Sequence, residues 1–287
     1  MRKIKSLLFV CILVLLAANL SSCDWVKEYF KENILGLTED VKPEGYIESK
    51  ENDLFKYDVC RDGIVITEYK GEDTTVIIPE YIDGRPVISI WSLAFYNNNI
   101  IEYVTLPRTL QRIEASGFYY SNKLKEIVIP DSVTYIGDRA FAWCTAMTSV
   151  TLPSGLTEIP NYAFNECSSL TKIIIPPKVT SIGVRAFSWC TSLTRVEIPD
   201  SVRSIGENAF MNCSSLEYVI VPDSTTEFGQ TIFKNCPQLT VVVTSEYSPC
   251  ALYCKQDENN YPYTTVRPPE ETSEDAASDV SAVTSKK

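Results

Sequence analysis

Cysteine is the residue type of this chain whose spacing most readily suggests chemistry. Five of the ten cysteines recur every 23 residues: Cys144, Cys167, Cys190, Cys213 and Cys236. A zinc site needs four ligands that converge on one point, whereas a fixed spacing of this length predicts a ladder of single thiols about 5 Å apart. The matching positions in two other repeats are Asn98 and Ser121. We therefore predict that this column packs in the interior and holds no metal.

Three further cysteines, Cys60, Cys250 and Cys254, lie outside the column. Exported proteins usually oxidise paired cysteines, so a disulfide among these three is one expectation. A bond between Cys250 and Cys254 would be poor if both lie on one helix.

The chain contains no histidine, and this excludes most of the common catalytic and metal-binding arrangements. Its net charge of −11, without a basic cluster beyond the N-terminus, argues against nucleic acid as a partner. Carboxylates are numerous but form no repeated pair. We predict no enzyme activity, no catalytic residues, no cofactor and no metal.

The N-terminus has the pattern of a bacterial export signal. Basic residues at Arg2, Lys3 and Lys5 precede an apolar run from Leu7 to Leu20, which is short for a membrane span. The ending Leu20-Ser21-Ser22-Cys23 resembles the lipobox of bacterial lipoproteins, in which the cysteine is lipidated and becomes the first residue. An ordinary secretory cleavage with Cys23 unmodified is the alternative.

A 23-residue phrase is repeated seven times between residues 85 and 245. A fixed period of this length predicts a solenoid in which each coil contacts only its neighbours. Isoleucine and phenylalanine columns supply part of the core. A pair of apolar residues two apart forms a strand with both side chains inward; the pairs are Val104/Leu106, Ile127/Ile129, Val150/Leu152, Ile173/Ile175, Val196/Ile198, Val219/Val221 and Val242/Thr244.

The repeat resembles the leucine-rich repeat of BspA-like bacterial surface proteins. Its pattern is Ile-Gly-x-x-Ala-Phe-x-x-Cys-x-x-Leu-x-x-Val-x-Ile-Pro, and it agrees in register across several copies. The resemblance implies a curved, mainly β leucine-rich-repeat solenoid with short helical turns, displayed at the cell surface. It also implies adhesion or other protein binding as the usual role, and it supplies no catalytic residues.

The composition along the chain predicts six segments. We expect a β-hairpin that pairs Ile64–Thr67 with Val76–Ile78 and caps the first coil, and a short helix over Pro249–Glu258 in the C-terminal cap. Another short helix is expected at Trp25–Leu35. The segments are a signal peptide (1–22), a lipidated tether (23–50), an N-terminal β cap (51–84), seven coils (85–245), a C-terminal cap (246–267) and a disordered tail (268–287).

Two surfaces are candidate binding sites. The first is the outward side of the strands, which leucine-rich repeats present on a concave sheet: Tyr103, Glu126, Lys172, Ile174, Arg195, Glu197, Tyr218 and Ile220. In the last coil the same reasoning places Val241 and Val243 outward. The second is an aromatic edge formed by Tyr120, Trp143, Tyr162 and Trp189. Strand propensity alone would explain the first surface, and tryptophans that merely seal the solenoid would explain the second.

The predicted function is therefore that of an exported, membrane-anchored lipoprotein that binds a protein partner, either a host or a matrix protein. A carbohydrate-binding module that uses the aromatic edge is the first alternative, because aromatic platforms suit sugar rings. A structural envelope spacer without a specific ligand is the second. The sequence leaves open the identity of the ligand, the membrane that holds the lipid and the oligomeric state.

Overall fold

The computed structural model describes residues 41–256 and 260–266. The predicted signal peptide, Cys23, the helix at Trp25–Leu35 and the tail from 268 lie outside the described residues. No helix in the described ranges is both long and apolar enough to cross a membrane.

The described chain consists of short strands and one short helix. The helix, α1, is Pro249–Cys254. The strands are β1 Tyr46–Glu51, β2 Phe55–Cys60, β3 Ile64–Tyr69, β4 Thr75–Ile77, β5 Tyr81–Ile82, β6 Arg85–Ile90, β7 Tyr103–Thr105, β8 Arg112–Ile113, β9 Glu126–Val128, β10 Tyr135–Ile136, β11 Ser149–Thr151, β12 Glu158–Ile159, β13 Ser181–Ile182, β14 Arg195–Glu197, β15 Ser204–Ile205, β16 Tyr218–Ile220, β17 Glu227–Phe228, β18 Thr240–Val242 and β19 Tyr263–Thr264.

Each coil of the solenoid has three sides that hydrogen-bond to the next coil. One side carries three-residue strands in parallel register, as where Val104 pairs with Ile127. A second side carries two-residue strands, as where Ile113 pairs with Ile136. The third side consists of consecutive turns, and the Phe118 amide there donates to the carbonyl of Ala140 in the following coil (2.8 Å). We call these the strand side, the short-strand side and the turn side.

The core is a set of continuous side-chain columns. The phenylalanine column stacks from coil to coil, with neighbouring ring centroids 4.7 to 5.8 Å apart. All seven of its rings are buried, as are the paired inward residues of the strands. The predicted columns therefore form the core, with a correction in the last coil that is given below. The arrangement confirms a mainly β solenoid.

The turn side is not helical, unlike the predicted short helical turns. Each coil has two residues with left-handed backbone here, such as Arg139 (φ 59°) and Trp143 (φ 65°). A right-handed helix cannot continue through such residues, so the segment becomes a series of tight turns. The predicted C-terminal helix is present, but it ends at Cys254 and not at Glu258.

The N-terminal cap has different strand pairs from the predicted hairpin. β3 contains Ile64–Thr67, but it pairs antiparallel with β2 and parallel with β6. β4 contains Val76 and Ile77 and pairs with β7, so it is already part of the solenoid. The hairpins are β1–β2 and β2–β3. Because β1 begins at Tyr46, the cap includes residues that the sequence analysis assigned to the tether.

The solenoid has about nine turns, which is more than the seven copies of the repeat. β4 lies below β7 in the stack, and β19 pairs with β18 above it. Both had been assigned to the caps. The first coil does not have the 23-residue period because it contains the β5–β6 hairpin. Asp83 and Gly84, both with positive φ, form the turn of this hairpin.

The last full coil is shifted by one residue relative to the others. Tyr218 pairs with Thr240 and Val219 pairs with Val241, so this coil is one residue shorter. Such a slip exchanges the inward and outward faces of a strand. Val241 and Val243 are therefore buried, contrary to the prediction that they face outward, and Thr244 is exposed.

Candidate functional site

The cysteine column is a structural ladder. Each thiol donates to the carbonyl oxygen of the phenylalanine in the preceding coil; Cys144 reaches Phe118 at 3.3 Å and Cys190 reaches Phe164 at 3.2 Å. The hydroxyl of Ser121 makes the equivalent bond to Phe95 at 2.8 Å. Serine and cysteine share the column because both are small and have a hydrogen to donate. In the first repeat, Asn98 instead accepts from the amides of Ile100 and Ile101.

Burial suppresses the reactivity of these thiols. It raises the pKa of Cys144 and of Cys190 well above that of a free thiol, so both stay protonated. At the end of the ladder, a hydrogen bond with Cys213 lowers the pKa of Cys236. The predicted disulfide candidates, Cys60, Cys250 and Cys254, are all free, and the last two lie together on α1.

Among the described residues, no group of three or more potential ligands is arranged to hold a metal ion. The structure does form a shallow groove of about 500 Å³ on the short-strand side. Its floor consists of Gly183, Gly206 and Gly229, and Glu158 and Glu227 lie along it.

The residues of the first predicted surface lie at the outward positions of the strand side. We call this surface the strand face. Tyr103, Glu126, Lys172, Ile174, Arg195, Glu197, Tyr218 and Ile220 lie on it in successive coils. Residues 172–174 form only an isolated bridge, between Lys172 and Arg195.

Apolar side chains are unusually exposed on the strand face. Ile77, Val128 and Ile174 occupy the third strand position of their coils and are 69%, 56% and 73% exposed. Tyr103 is also exposed, and the Lys125 ammonium lies 5.7 Å from its ring centroid while pairing with Glu102 at 2.8 Å. Charged side chains at Glu126, Lys172, Arg195 and Glu197 lie along the first and third positions. The face thus offers a row of β-branched side chains bordered by both signs of charge.

The second predicted surface is not one continuous aromatic platform. Tyr120 and Trp143 are only half-buried, and their rings lie 5.8 Å apart, packed against the buried Ala142 and Tyr119. Tyr162 lies elsewhere, between two guanidinium groups: Arg139 is 4.5 Å and Arg185 is 5.9 Å from its ring centroid. Trp189 remains 43% exposed. The predicted edge therefore divides into a packed aromatic cluster, a stacked tyrosine and one open indole.

A carboxylate that the sequence analysis did not select lies between the two tryptophans. Glu166 occupies the same position in its coil as Trp143 and Trp189 in theirs. Burial raises its pKa to about 7. Its carboxylate makes no hydrogen bond or ion pair with another residue in the described ranges, whereas its backbone amide donates to the carbonyl of Ser188. The sequence signal was present, because Glu166 interrupts the aromatic run in the column Tyr120, Trp143, Glu166, Trp189.

The backbone at this column is left-handed in every coil. Its members are Asn97, Tyr120, Trp143, Glu166, Trp189, Asn212 and Asn235, with φ between 53° and 65°. Asparagine tolerates this conformation, whereas other L residues pay about 1–2 kcal/mol for it. The four central coils thus have aromatic or acidic side chains at this position. The outer coils have asparagine there, which adopts the left-handed conformation at a lower energy.

These features define a class of protein: a parallel β-solenoid with a 23-residue leucine-rich repeat, closed by an antiparallel cap. The sequence matches the BspA type leucine rich repeat region in 6 copies, over residues 75–190 and 111–240. The chain therefore belongs to the BspA-type leucine-rich repeat family, a family of bacterial surface proteins. The match begins at Thr75, the first residue of β4, in agreement with the position of the first coil.

Solved structures of similar proteins are also bacterial leucine-rich repeat proteins. The T. pallidum leucine rich repeat protein is 27% identical, with a TM-score of 0.49 over 77% of this chain and 100% of its own. A leucine rich cell surface protein from Faecalibacterium prausnitzii A2-165 is 23% identical, with a TM-score of 0.44 over 72% of this chain and 78% of its own. One from Bacteroides ovatus is 20% identical (TM-score 0.34; 74% and 75% covered). No protein with a curated description matches this chain.

Proposed function

We propose that this chain is an exported lipoprotein, anchored through Cys23, whose strand face binds a protein at the cell surface or in a host. Membership of a family of bacterial surface proteins supports the location. The ending Leu20-Ser21-Ser22-Cys23 supports the lipid anchor. The proposal assigns no reaction to the chain.

The observation that carries the proposal is the exposure of Ile77, Val128 and Ile174 on the strand face. They occupy one position in alternate coils, with the exposed Thr105 and Thr151 between them. An exposed surface with apolar side chains and a polar border is typical of interaction sites. Threonine at 105 and 151 shows that strand propensity is satisfied here without an apolar side chain. The isoleucine and valine residues therefore need another reason, and contact with an apolar partner surface supplies one.

The test is a pull-down from matrix and serum proteins with the full-length chain, comparing it with the double variant Val128→Thr/Ile174→Thr. Threonine keeps the β-branched shape and the strand, so the fold is expected to persist. We expect saturable binding of a partner whose Kd rises about tenfold or more in the variant, because both substitutions remove apolar contact area and a loss of about 1.4 kcal/mol raises Kd tenfold.

The matched control is Tyr247→Ser/Leu252→Ser, which removes exposed apolar side chains outside the strand face. We expect this variant to bind like the unaltered chain. Equal loss in both variants, or a partner that binds the strand-face variant normally, would show that the strand face is not the binding surface. Absence of any partner would favour the structural spacer.

Carbohydrate binding is a second candidate, and the exposure of Trp189 favours it. An open indole on a rigid scaffold suits stacking against a sugar ring. Glycan-array binding that Trp189→Ala abolishes, and that Val128→Thr/Ile174→Thr leaves intact, would support this candidate over a protein partner.

A further inference from the structure

We propose that Trp143, Glu166 and Trp189 form a binding site for a cationic side chain, a lysine ammonium or an arginine guanidinium, of a peptide or protein. The site lies on the turn side of the coil. It is therefore separate from the strand face, and either one can fail without the other.

The backbone places the three residues in one column. The Trp143 amide donates to the carbonyl of Asn165 in the next coil (2.8 Å), and the Glu166 amide donates to that of Ser188 (2.9 Å). These bonds are the rungs of a parallel ladder, so consecutive members are about 4.8 Å apart. The two tryptophans are thus about 10 Å apart along the solenoid, with one carboxylate between them.

The column resembles a ring stack with one ring missing. In the core, every coil contributes a phenylalanine ring, and the neighbouring centroids lie 4.7 to 5.8 Å apart. In the outer column, Tyr120 and Trp143 follow the same spacing at 5.8 Å. The next position carries Glu166, and the one after it carries Trp189. A flat or compact group from a ligand can occupy the place that a ring would have filled.

Charge decides which ligand fits. The Glu166 carboxylate is partly buried, and no cation pairs with it in the described part of the chain. Two nearby guanidinium groups, Arg139 and Arg185, lie over the ring of Tyr162. A cation placed between the indoles would pair with the carboxylate and also be attracted by the faces of both rings. A neutral sugar would stack on the rings but leave the carboxylate without a counter-charge.

The three residues share one backbone conformation. Trp143, Glu166 and Trp189 have φ of 65°, 64° and 65°, in a region that costs L residues energy. Asn212 and Asn235 occupy the same column, and asparagine adopts this conformation at a lower energy than most other L residues. The other left-handed turn position holds ordinary residues such as Leu93 and Thr231, so this backbone places the three side chains alike and does not by itself assign them a role.

The experiment follows the indole N–H signals of Trp143 and Trp189 by NMR in the full-length chain, assigned with Trp143→Phe and Trp189→Phe. The probe is the peptide acetyl-Gly-Lys-Gly-amide, and its norleucine equivalent is the uncharged control. We expect saturable shifts of both signals with the lysine peptide only. Glu166→Gln should weaken binding about tenfold, because it removes the charge and keeps the shape. Glu217→Gln, an exposed glutamate on another side, is the matched control.

The pH profile is a second readout. Binding should weaken as the pH falls below about 7, because Glu166 then takes up a proton. The other titratable groups near it are Tyr119, Cys167 and Cys190, and burial raises the pKa of each. They therefore stay neutral over this range. The profile of the Glu166→Gln variant should be flat.

Three results would overturn the proposal. The first is equal binding of the lysine and norleucine peptides. The second is unchanged lysine binding by Glu166→Gln, and the third is the absence of indole shifts at saturating peptide. Binding of neutral glycans that Glu166→Gln leaves intact would assign the tryptophans to sugar recognition. None of these results bears on the strand face, which the pull-down tests separately.

Discussion

At the scale of single residues, Glu166 has the most testable effect on stability. In the unfolded chain the Glu166 carboxyl has its ordinary pKa of 4.5, whereas burial in the folded protein raises this pKa to about 7. Between these values the folded state binds more protons, so the free energy of unfolding falls as the pH rises. Above pH 7 the carboxyl is ionised in both states, and the folded protein bears the full cost of burying its charge.

We therefore expect Glu166→Gln to be more stable than the unaltered chain at pH 8 and equally stable near pH 4. Water screens a partly buried group, so the gain should be about 1–2 kcal/mol. Urea denaturation at the two pH values measures it, with Glu217→Gln as the control. A gain that is the same at both pH values would mean that charge burial is not its cause.

The sequence predicted the aromatic residues of the candidate site, but it did not predict that Glu166 belongs to the site. The variable column of Tyr120, Trp143 and Trp189 could be found because its neighbours in the repeat are constant. Glu166 was not selected because the carboxylates of the chain form no repeated pair. Its significance depends on partial burial and on left-handed backbone, and neither is encoded in residue types alone.

At the scale of the coil, close contact between backbones requires glycine on the short-strand side. A Cβ on Gly206 would lie 2.6 Å from the carbonyl carbon of Gly183 and from the nitrogen of Val184. Both atoms belong to the backbone and can move only if the coils separate. We expect Gly206→Ala to lower the free energy of unfolding by about 1–3 kcal/mol, measured by urea denaturation.

Gly155 provides the control at this scale. A Cβ there meets nothing within 4 Å, so Gly155→Ala should be neutral or stabilise the chain by up to about 1 kcal/mol. If the two alanine variants were equally stable, the coils would have more freedom to separate than the stacked backbone indicates.

The elements that the sequence could predict are those that keep the 23-residue period. Val104, Ile127 and Val150 could be placed inward because identical spacing repeats the same environment. The first coil was missed because the β5–β6 hairpin lengthens it. The slip at Val241 was missed because a single deletion leaves the apolar composition unchanged while it reverses the two faces of the strand.

At the scale of the whole molecule, a solenoid has no contacts between distant coils, so damage should stay local. Phe164→Ala removes one ring from the middle of the core column and should cost about 3–5 kcal/mol. We expect hydrogen exchange to rise in the coils around Phe141, Phe164 and Phe187. Protection in β1–β3, many coils away, should change little.

Hydrogen exchange followed by mass spectrometry distinguishes local unfolding around Phe164 from unfolding of the whole chain. A uniform rise along the chain would show that the caps and the coils unfold as one cooperative unit. Phe95→Ala, at the N-terminal end of the same column, is the matched variant, and its effect should be centred on β3 and β6 instead.

The equal spacing of the coils also affects how such a gene can change. From Leu124 to Leu216 every junction between coils has the same register, so copying or losing one repeat creates no new kind of junction. The length of the solenoid can therefore change in steps of one coil. Beyond Leu239 the shifted strand makes the last junction unique. The number of coils is therefore expected to vary in the middle of the array, whereas the last junction at the C-terminal end is expected to stay the same.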